Sequence, residues 1–310
     1  MKMIGHQAQQ QQMAEQLKQD HMNHAILLHG PKGVGKSLFA HELAAAYLCE
    51  NSTTWACGTC QSCHMLTGDA HPDFLSLGRA YNDKQVQNRD INVAQVRELG
   101  HFIGLTGTRS QHRVVILDDA DHLNRQAANA LLKGLEEPAQ GCLILLVCEK
   151  IQHLPITVRS RCLLMPFSAL STEDCLHVCQ NMGISKAYLD LAQKLAQGQP
   201  GKVIDMCQEK KAQALLTLSQ LSQKPLDMIA WQLWLETHLS SLSHHMIIEL
   251  ICAPYLQNLQ QLKNFEQHQE LSKALWDMAC WPERLRTHSL RPVPSLLAHL
   301  LHLEDVSHKA

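Results

Sequence analysis

The feature that most constrains this chain is a glycine-rich loop between an apolar run and an alanine-rich segment. Residues 30–37 (GPKGVGKS) match the pattern G-x-x-x-x-G-K-[ST] at every fixed position. The residues before the loop, 25–28 (AILL), predict a buried strand, and residues 37–48 predict a helix. A strand, a loop of this composition and a helix in that order predict an α/β domain.

The loop has the chemistry of a phosphate site. Gly30 opens it, and Gly33 and Gly35 allow the backbone to fold tightly so that its N–H groups point at phosphate oxygens. Lys36 would add a positive charge at the β and γ phosphates, and the Ser37 hydroxyl would ligate Mg²⁺. The motif therefore predicts binding of a nucleoside triphosphate with Mg²⁺. The alternative is a vestigial loop that keeps only its shape.

Composition narrows the class of protein. The chain has 310 residues, of which 45% are hydrophobic and 18% charged, so an ordinary globular protein of two or three domains is expected. A formal net charge of −2 gives no overall attraction to nucleic acid, so contact with DNA would require a local basic patch or a larger assembly. No apolar run approaches the roughly 18 residues of a membrane helix, which predicts a soluble, cytoplasmic protein without a membrane partner.

Four of the twelve cysteines are close together in the sequence. They are Cys49, Cys57, Cys60 and Cys63, and the last three form a CxxCxxC run. Thiols in the cytosol are reduced, and four thiolates match a closed tetrahedral Zn²⁺ site, which is structural because no position is left for water. His64 could replace one sulfur. The alternative to a metal site is a set of reactive or merely buried thiols.

A second apolar run ends in two carboxylates. Residues 113–119 (RVVILDD) predict the strand that positions Mg²⁺ opposite a phosphate loop, with Asp118 on the metal side. Asp119 stands where a glutamate that orients the attacking water is expected. Its side chain is one methylene shorter, and a misplacement of about 1 Å can lower a rate about 10²-fold. The sequence therefore predicts that the nucleotide binds and leaves its hydrolysis in doubt. The alternative is that the two carboxylates simply end a strand at the surface and have no role at the nucleotide.

Three further segments follow this strand. Residues 121–138 predict a helix closed by a proline, and residues 143–147 predict another strand. Residues 154–162 (LPITVRSRC) come next. Taken alone, Arg161 in this stretch is typical of a surface salt-bridge partner.

Taken together, these motifs resemble the clamp-loader branch of the AAA+ ATPases. They extend in a specific order from about residue 20 to about residue 205, and the last hundred residues match only as a generic helical domain. The resemblance is carried by the loop, the four-cysteine module at about 49–64, and residues 71–74 (HPDF), 91–99 (INVAQVREL), 128–133 (ANALLK), 135–138 (LEEP) and 160–162 (SRC).

The resemblance implies particular roles for several residues. The bound nucleotide would be ATP, together with Mg²⁺. Asp119 would be at most a weak catalytic carboxylate. Arg161 would be an arginine finger that reaches into the ATP site of a neighbouring subunit and neutralises charge during phosphoryl transfer. Gamma/tau-type motor subunits carry an arginine in the lid where this chain has Gly201, which cannot sense a phosphate charge. Lys202 could supply that charge instead.

We therefore expect a delta-prime-type subunit that binds ATP and hydrolyses it poorly or not at all. The alternative is a gamma/tau-type motor ATPase. The implied partners are gamma/tau and delta clamp-loader subunits in a hetero-oligomer, with the sliding clamp and primed DNA contacted through the assembly.

Three domains are predicted. Residues 1–165 form the α/β AAA+ P-loop domain with its inserted zinc module, residues 166–207 a small helical lid, and residues 208–310 an all-helical C-terminal domain. An N-cap signature at residues 171–174 (STED) opens the first lid helix. The resemblance implies that the C-terminal domain packs with its counterparts into a ring-shaped collar. The alternative is a self-contained helical domain.

Overall fold

The chain forms two compact units, described separately below. The first comprises Met1–Val178 and Gly198–Lys202, and the second comprises Cys179–Gln197 and Val203–Ala310. The predicted division into three domains stays a prediction, and part of the predicted lid lies outside the described residues. The computed structural model describes residues 3–309 except 20, 52–53, 80–89, 105–108, 110, 185–196, 208, 223–225, 241, 263 and 289.

The first unit is built on a parallel sheet. Its strands are β1 (Ala25–His29), β2 (Phe74–Leu77), β3 (Arg113–Leu117), β4 (Cys142–Cys148) and β5 (Leu163–Pro166). Their order is β2-β3-β4-β1-β5, and every neighbouring pair is parallel. The central strands β1, β3 and β4 are continuous apolar runs, as expected for strands covered on both faces.

The three strands predicted from the sequence are confirmed, with small differences at their ends. The strand predicted over 113–119 ends at Leu117, so Asp118 and Asp119 lie just beyond its carboxyl end. The strand predicted over 143–147 extends by one residue at each end. Both carboxylates therefore lie at the edge of the sheet where the glycine-rich loop leaves β1.

Helices cover both faces of this sheet. Neighbouring residues of β1 point to opposite faces, so Leu27 and Leu28 pack in two different cores, as the period of two in a strand requires. Among the described residues, the helices that begin before residue 201 are α1 (Gln7–Lys18), α2 (Lys36–Tyr47), α3 (Gln61–Thr67), α4 (Val93–Gly104), α5 (Arg125–Glu136), α6 (Ile156–Arg159), α7 (Thr172–Asn181) and α8 (Pro200–Met206). The core around Leu27 includes residues of α4, α5 and α6, and the core around Leu28 includes residues of α1 and α2.

Capping residues decide where two of these helices begin. The prediction of a helix over 121–138 was wrong at its start. A short 3₁₀ turn occupies Ala120–His122, and α5 begins at Arg125. The Asn124 side chain accepts a hydrogen bond from the Ala127 N–H at 2.8 Å and so caps the helix there. The predicted cap of α7 is confirmed, since the Ser171 hydroxyl accepts a hydrogen bond from the Asp174 N–H at 3.1 Å.

The described part of the second unit is all-helical, as predicted. Trp281, Leu271 and Met278 are fully buried in its core. No helix among the described residues is long and apolar enough to cross a membrane. The helices are α9 (Glu209–Ser222), α10 (Met228–His238), α11 (His244–Gln261), α12 (Phe265–Ala279), α13 (Trp281–His288) and α14 (Pro292–Lys309).

Candidate nucleotide site and cysteine cluster

The glycine-rich loop joins β1 to α2, as predicted. Gly30, Gly33 and Gly35 have φ angles of 144°, 77° and 101°, a region that side chains with a Cβ rarely adopt. A Cβ at Gly30 would also lie 2.0 Å from the carbonyl oxygen of Phe167. The loop therefore requires glycine at these positions for its backbone path alone.

Lys36 is the first residue of α2, and its side chain is buried. Its Nζ donates hydrogen bonds to the carbonyl oxygens of Gly30 at 2.8 Å and Pro31 at 2.7 Å. Burial lowers the pKa of Lys36, and nearby acidic groups that include Asp118 oppose that shift. The ammonium thus lies inside the curve of the loop, where the motif predicts it.

The two groups predicted to hold Mg²⁺ are in contact. The Ser37 hydroxyl, on α2, donates a hydrogen bond to Oδ2 of Asp118 at 2.6 Å. A hydroxyl and a carboxylate are oxygen ligands of the kind that Mg²⁺ takes in phosphate sites. The residues present therefore fit a Mg²⁺–nucleotide site in the nature and placement of their donors.

Asp119 has a partner that sequence reasoning missed. Its carboxylate forms an ion pair with Nε of Arg79 at 2.9 Å. Arg79 follows β2, the strand that lies beside β3, and the carboxyl ends of neighbouring parallel strands meet at one edge of the sheet. The two residues are 40 positions apart, so no short-range pattern could have identified the pair.

The start of α8 packs directly against the loop. The Gly201 N–H donates a hydrogen bond to the Gly33 carbonyl at 2.8 Å. A Cβ at Gly201 would lie 2.7 Å from the Cα of Gly33, and a Cβ at Gly33 would lie 3.0 Å from the backbone nitrogen of Lys202. The comparison of sequences shows only that position 201 lacks a charge. The structure shows that the close packing against Gly33 also requires a glycine there.

The N-terminal segment also covers the loop. Nε2 of His6 lies 3.0 Å from the Val34 carbonyl oxygen, and its ring centroid lies 4.6 Å from that of Phe167. Burial lowers the pKa of His6. A Cβ at Gly35 would lie 3.0 Å from the terminal methyl of Met3. The sequence held no signal for this role of the first residues.

The four predicted metal ligands form one cluster. The sulfurs of Cys49, Cys57, Cys60 and Cys63 all lie within 4.8 Å of one another. Those of Cys49 and Cys60 are 3.8 Å apart. Four sulfurs at about 2.3 Å from a tetrahedral Zn²⁺ lie about 3.8 Å from each other, so the set fits the ion. His64 is not a member of the cluster that the described residues form, and it is exposed.

Backbone N–H groups turn toward these sulfurs. The Cys60 N–H donates to the Cys57 sulfur at 3.3 Å, and the Cys63 N–H donates to the Cys60 sulfur at 3.4 Å. The Thr59 hydroxyl and neighbouring backbone N–H groups lower the pKa of Cys57 to about 5, whereas burial raises the pKa of Cys63 to about 12. A bound metal ion deprotonates its thiol ligands outright and would offset the second effect.

A buried polar network ties the cysteine module to the sheet. Asp73 is fully buried and lies 3.4 Å from Nη2 of Arg113. The Asp73 N–H donates to Nδ1 of His71 at 3.1 Å, and Nε2 of His71 lies 2.9 Å from the Ser62 hydroxyl on α3. Because Nδ1 accepts, a neutral ring carries its proton on Nε2 and donates to Ser62. The HPDF sequence at 71–74 thus has a structural role.

Arg161 lies just after α6, and its side chain contacts residues of α6 and α5. Its Nη1 donates to the Thr157 carbonyl at 2.8 Å and its Nη2 pairs with Oε1 of Glu136 at 2.6 Å. The surface ion pair that is typical of an isolated arginine is therefore present. The role of Arg161 as an arginine finger stays a prediction.

The chain is similar in sequence to subunits of DNA polymerase III. A family model described as "DNA polymerase III, delta subunit" matches residues 5–171, more than half of the chain. DNA polymerase III subunit delta' of Pseudomonas aeruginosa is 39% identical over 140 residues, which are 45% of this chain and 41% of that protein. DNA polymerase III subunit tau of Escherichia coli is 32% identical over 173 residues, which are 55% of this chain and 25% of that protein. The chain thus spans less than half the length of these two relatives.

Similarity to solved structures extends further along the chain. A DNA polymerase III gamma subunit-related protein of Thermotoga maritima aligns with a TM-score of 0.53 and 15% identity, over 95% of this chain and 99% of that one. At this identity the likeness concerns the fold alone, and it agrees with the predicted AAA+ α/β fold with a helical C-terminal region. Because the family model covers more than half of the residues, this chain belongs to the clamp-loader family of DNA polymerase III delta' subunits.

Proposed function

We propose that this chain is a largely non-motor subunit of a clamp loader. It assembles in the cytoplasm with gamma/tau and delta subunits, and the assembly opens a sliding clamp and places it on primed DNA. Arg161 acts in the ATP site of the neighbouring subunit. The alternative, a gamma/tau-type motor, has its own support in the similarity to the tau subunit of Escherichia coli.

The ion pair between Arg79 and Asp119 is the observation that carries this choice. A general base must direct a lone pair at the attacking water, and the Asp119 carboxylate instead accepts from a guanidinium at 2.9 Å. The shorter side chain of aspartate adds to this effect. Turnover at this chain's own site is therefore weak or absent.

We propose that the loop nevertheless binds ATP. Lys36 would exchange the carbonyl oxygens of Gly30 and Pro31 for phosphate oxygens, which carry more charge and compete well for an ammonium. Ser37 and Asp118 would hold Mg²⁺, which shields the phosphate charge. The lid would contribute the Gly201 backbone and no arginine.

The cysteine cluster is proposed as a structural zinc site with Cys49, Cys57, Cys60 and Cys63 as its four ligands. The spacing of the sulfurs supports this assignment. Four thiolate ligands leave no open coordination position, so the ion would stabilise the module and take no part in catalysis.

Exposed apolar side chains on the second unit support its assignment as a collar. Ile229 and Leu233 lie one helical turn apart on α10 and are 82% and 65% exposed. Phe265 and Trp276, on α12, are also exposed. Two large apolar side chains exposed side by side on one helix face, as Ile229 and Leu233 are, suit a surface that another protein covers.

The test is ATP turnover by a reconstituted loader in the presence of clamp and primed DNA. An arginine finger contributes about 10³-fold or more at the one site that it serves. Because the other sites of the assembly keep their own arginines, we expect Arg161→Ala to lower the total ATP turnover severalfold. Lys36→Ala should change turnover little, because the neighbouring sites do most of the hydrolysis. A comparable loss with Lys36→Ala would favour the motor alternative, and absence of stimulated turnover with any set of partners would exclude the clamp-loader role.

A further inference from the structure

The guanidinium of Arg161 is held from two directions by its own chain. Nη1 donates to the Thr157 carbonyl at 2.8 Å and lies 3.4 Å from the Ser160 hydroxyl, and Nη2 pairs with Glu136 at 2.6 Å. Thr157 belongs to α6, and Glu136 is the last residue of α5. The side chain is therefore fixed between two elements that pack against one core.

These contacts leave part of the guanidinium available. An arginine has five N–H donors, and the three contacts use three of them. The other two have no partner among the residues that the structure describes. The side chain is 35% exposed and that of Glu136 is 49% exposed, so the pair lies at the surface where a second protein could approach.

We propose that Glu136 is a positioning residue for Arg161. Its carboxylate and the Thr157 carbonyl together hold the guanidinium in the orientation from which the remaining donors meet the phosphates of the neighbouring subunit. This inference rests on the proposed function of Arg161 and assigns the first glutamate of the LEEP sequence a role in that site.

The physical reason is the flexibility of arginine. A free arginine side chain loses rotamer entropy when it is ordered, and a catalytic group displaced by about 1 Å can lose about 10²-fold in rate. A carboxylate that orders the side chain in advance removes part of that cost. Because the pair is exposed, the gain is modest, and loss of Glu136 should lower the rate about 2- to 5-fold.

The adjacent glutamate is a matched control. Glu137 is exposed like Glu136, but the described structure gives it no ion pair with Arg161. Its backbone N–H donates to the Lys133 carbonyl at 3.1 Å, a contact that a change of side chain keeps. Glu136 is the last residue of α5 and Glu137 is the next residue, so any effect of charge at this end of the helix is common to the two.

The experiment measures clamp- and DNA-stimulated ATP turnover of the full reconstituted loader. It compares wild type, Glu136→Ala, Glu136→Gln, Glu137→Ala, Arg161→Ala and Glu136→Ala/Arg161→Ala. We expect Glu136→Ala to lower kcat about 2- to 5-fold with KM for ATP unchanged. Glu136→Gln keeps a hydrogen-bond acceptor and should retain more activity, and Glu137→Ala should match wild type. In the Arg161→Ala background, Glu136→Ala should have no further effect.

Several results would overturn the inference. Wild-type or raised turnover of both Glu136 variants, or an additive loss in the double variant, would show that Glu136 does not position Arg161. If the Glu136→Ala loader fails to assemble, the test rests on Glu136→Gln alone. The inference then holds only if kcat of Glu136→Gln falls while kcat of Glu137→Ala equals that of wild type. Wild-type turnover of Arg161→Ala would instead remove the proposed function of Arg161 and this inference with it.

Discussion

At the residue scale, the candidate nucleotide site depends on a few side chains that other elements hold in place. Asp119 is typical, because its carboxylate could serve hydrolysis by type and position but is engaged by Arg79. Lys36 likewise has a partner in the loop, and Ser37 has one in Asp118, just beyond the end of β3. The chemistry of each residue, and the proximity of Ser37 to Asp118, were predictable from the sequence, whereas the pairing of Asp119 with Arg79 was not.

His6 permits a test of the N-terminal cover by pH. Burial lowers its pKa in the folded protein, so as the pH falls the unfolded chain takes up a proton near pH 6.5 and the folded chain only at a lower pH. The His6 contribution to stability is therefore present above pH 6.5 and is lost as the pH falls below it. We expect His6→Asn to be less stable than wild type at pH 8, and the difference to narrow by pH 5.5, in urea unfolding.

Asparagine suits position 6 because it tolerates the positive φ of 54° there. The control is His101→Asn, at an exposed position of α4, which also removes one histidine. A constant difference between wild type and His6→Asn from pH 8 to pH 5.5 would contradict burial of a neutral ring.

At the element scale, the start of α8 lies against the glycine-rich loop. Gly201 and Gly33 approach so closely that neither accommodates a side chain. The two backbones are linked by a hydrogen bond of 2.8 Å. Backbone contact therefore holds the start of α8 against the loop, without a side chain of residue 201.

A pair of glycine substitutions measures this contact. Gly201→Ala should destabilise the protein by about 1–3 kcal/mol, because the new methyl would overlap the Gly33 backbone. Gly100→Ala, on α4, meets nothing within 4 Å and should be neutral or stabilising by up to about 1 kcal/mol. Urea unfolding checks both values, and equal stabilisation by the two alanines would refute the close approach.

At the scale of the whole molecule, each of the two compact units has its own core. The cysteine cluster belongs to the first, where Ser62, His71 and Asp73 connect it to the sheet through buried polar contacts. A change at the cluster should therefore extend into the first unit. The exposed apolar residues of α10 and α12 belong to the second.

Removal of the proposed zinc ion tests this connection. A strong chelator should release about one Zn²⁺ per chain and destabilise the first unit by about 3 kcal/mol or more, since metal binding and folding are coupled. Hydrogen exchange should then quicken in α2 and α3 and remain unchanged in the core of α12. Cys57→Ser should lower the zinc content, and Cys280→Ser, outside the cluster, should retain it. Equal zinc content in the two variants would exclude the cluster as the site.

Local patterns determined much of this protein. The glycine-rich loop, the central strands and the four-cysteine cluster each depend on residues close together in the sequence, where spacing and residue type carry the chemistry. The start of α5 was predicted wrongly, at residue 121. The Asn124 side chain caps the helix and starts it at Arg125, and one capping residue is a weaker signal in the sequence than the helical pattern around it.

Only the tertiary structure decided the pairings. Arg79 with Asp119, Glu136 with Arg161 and Gly201 with Gly33 each join residues from different elements. Such partners depend on the order of strands in the sheet and on the packing of helices against it, which are long-range properties. The sequence therefore determined which groups the protein has for its chemistry, and the fold decided which of them are free to act.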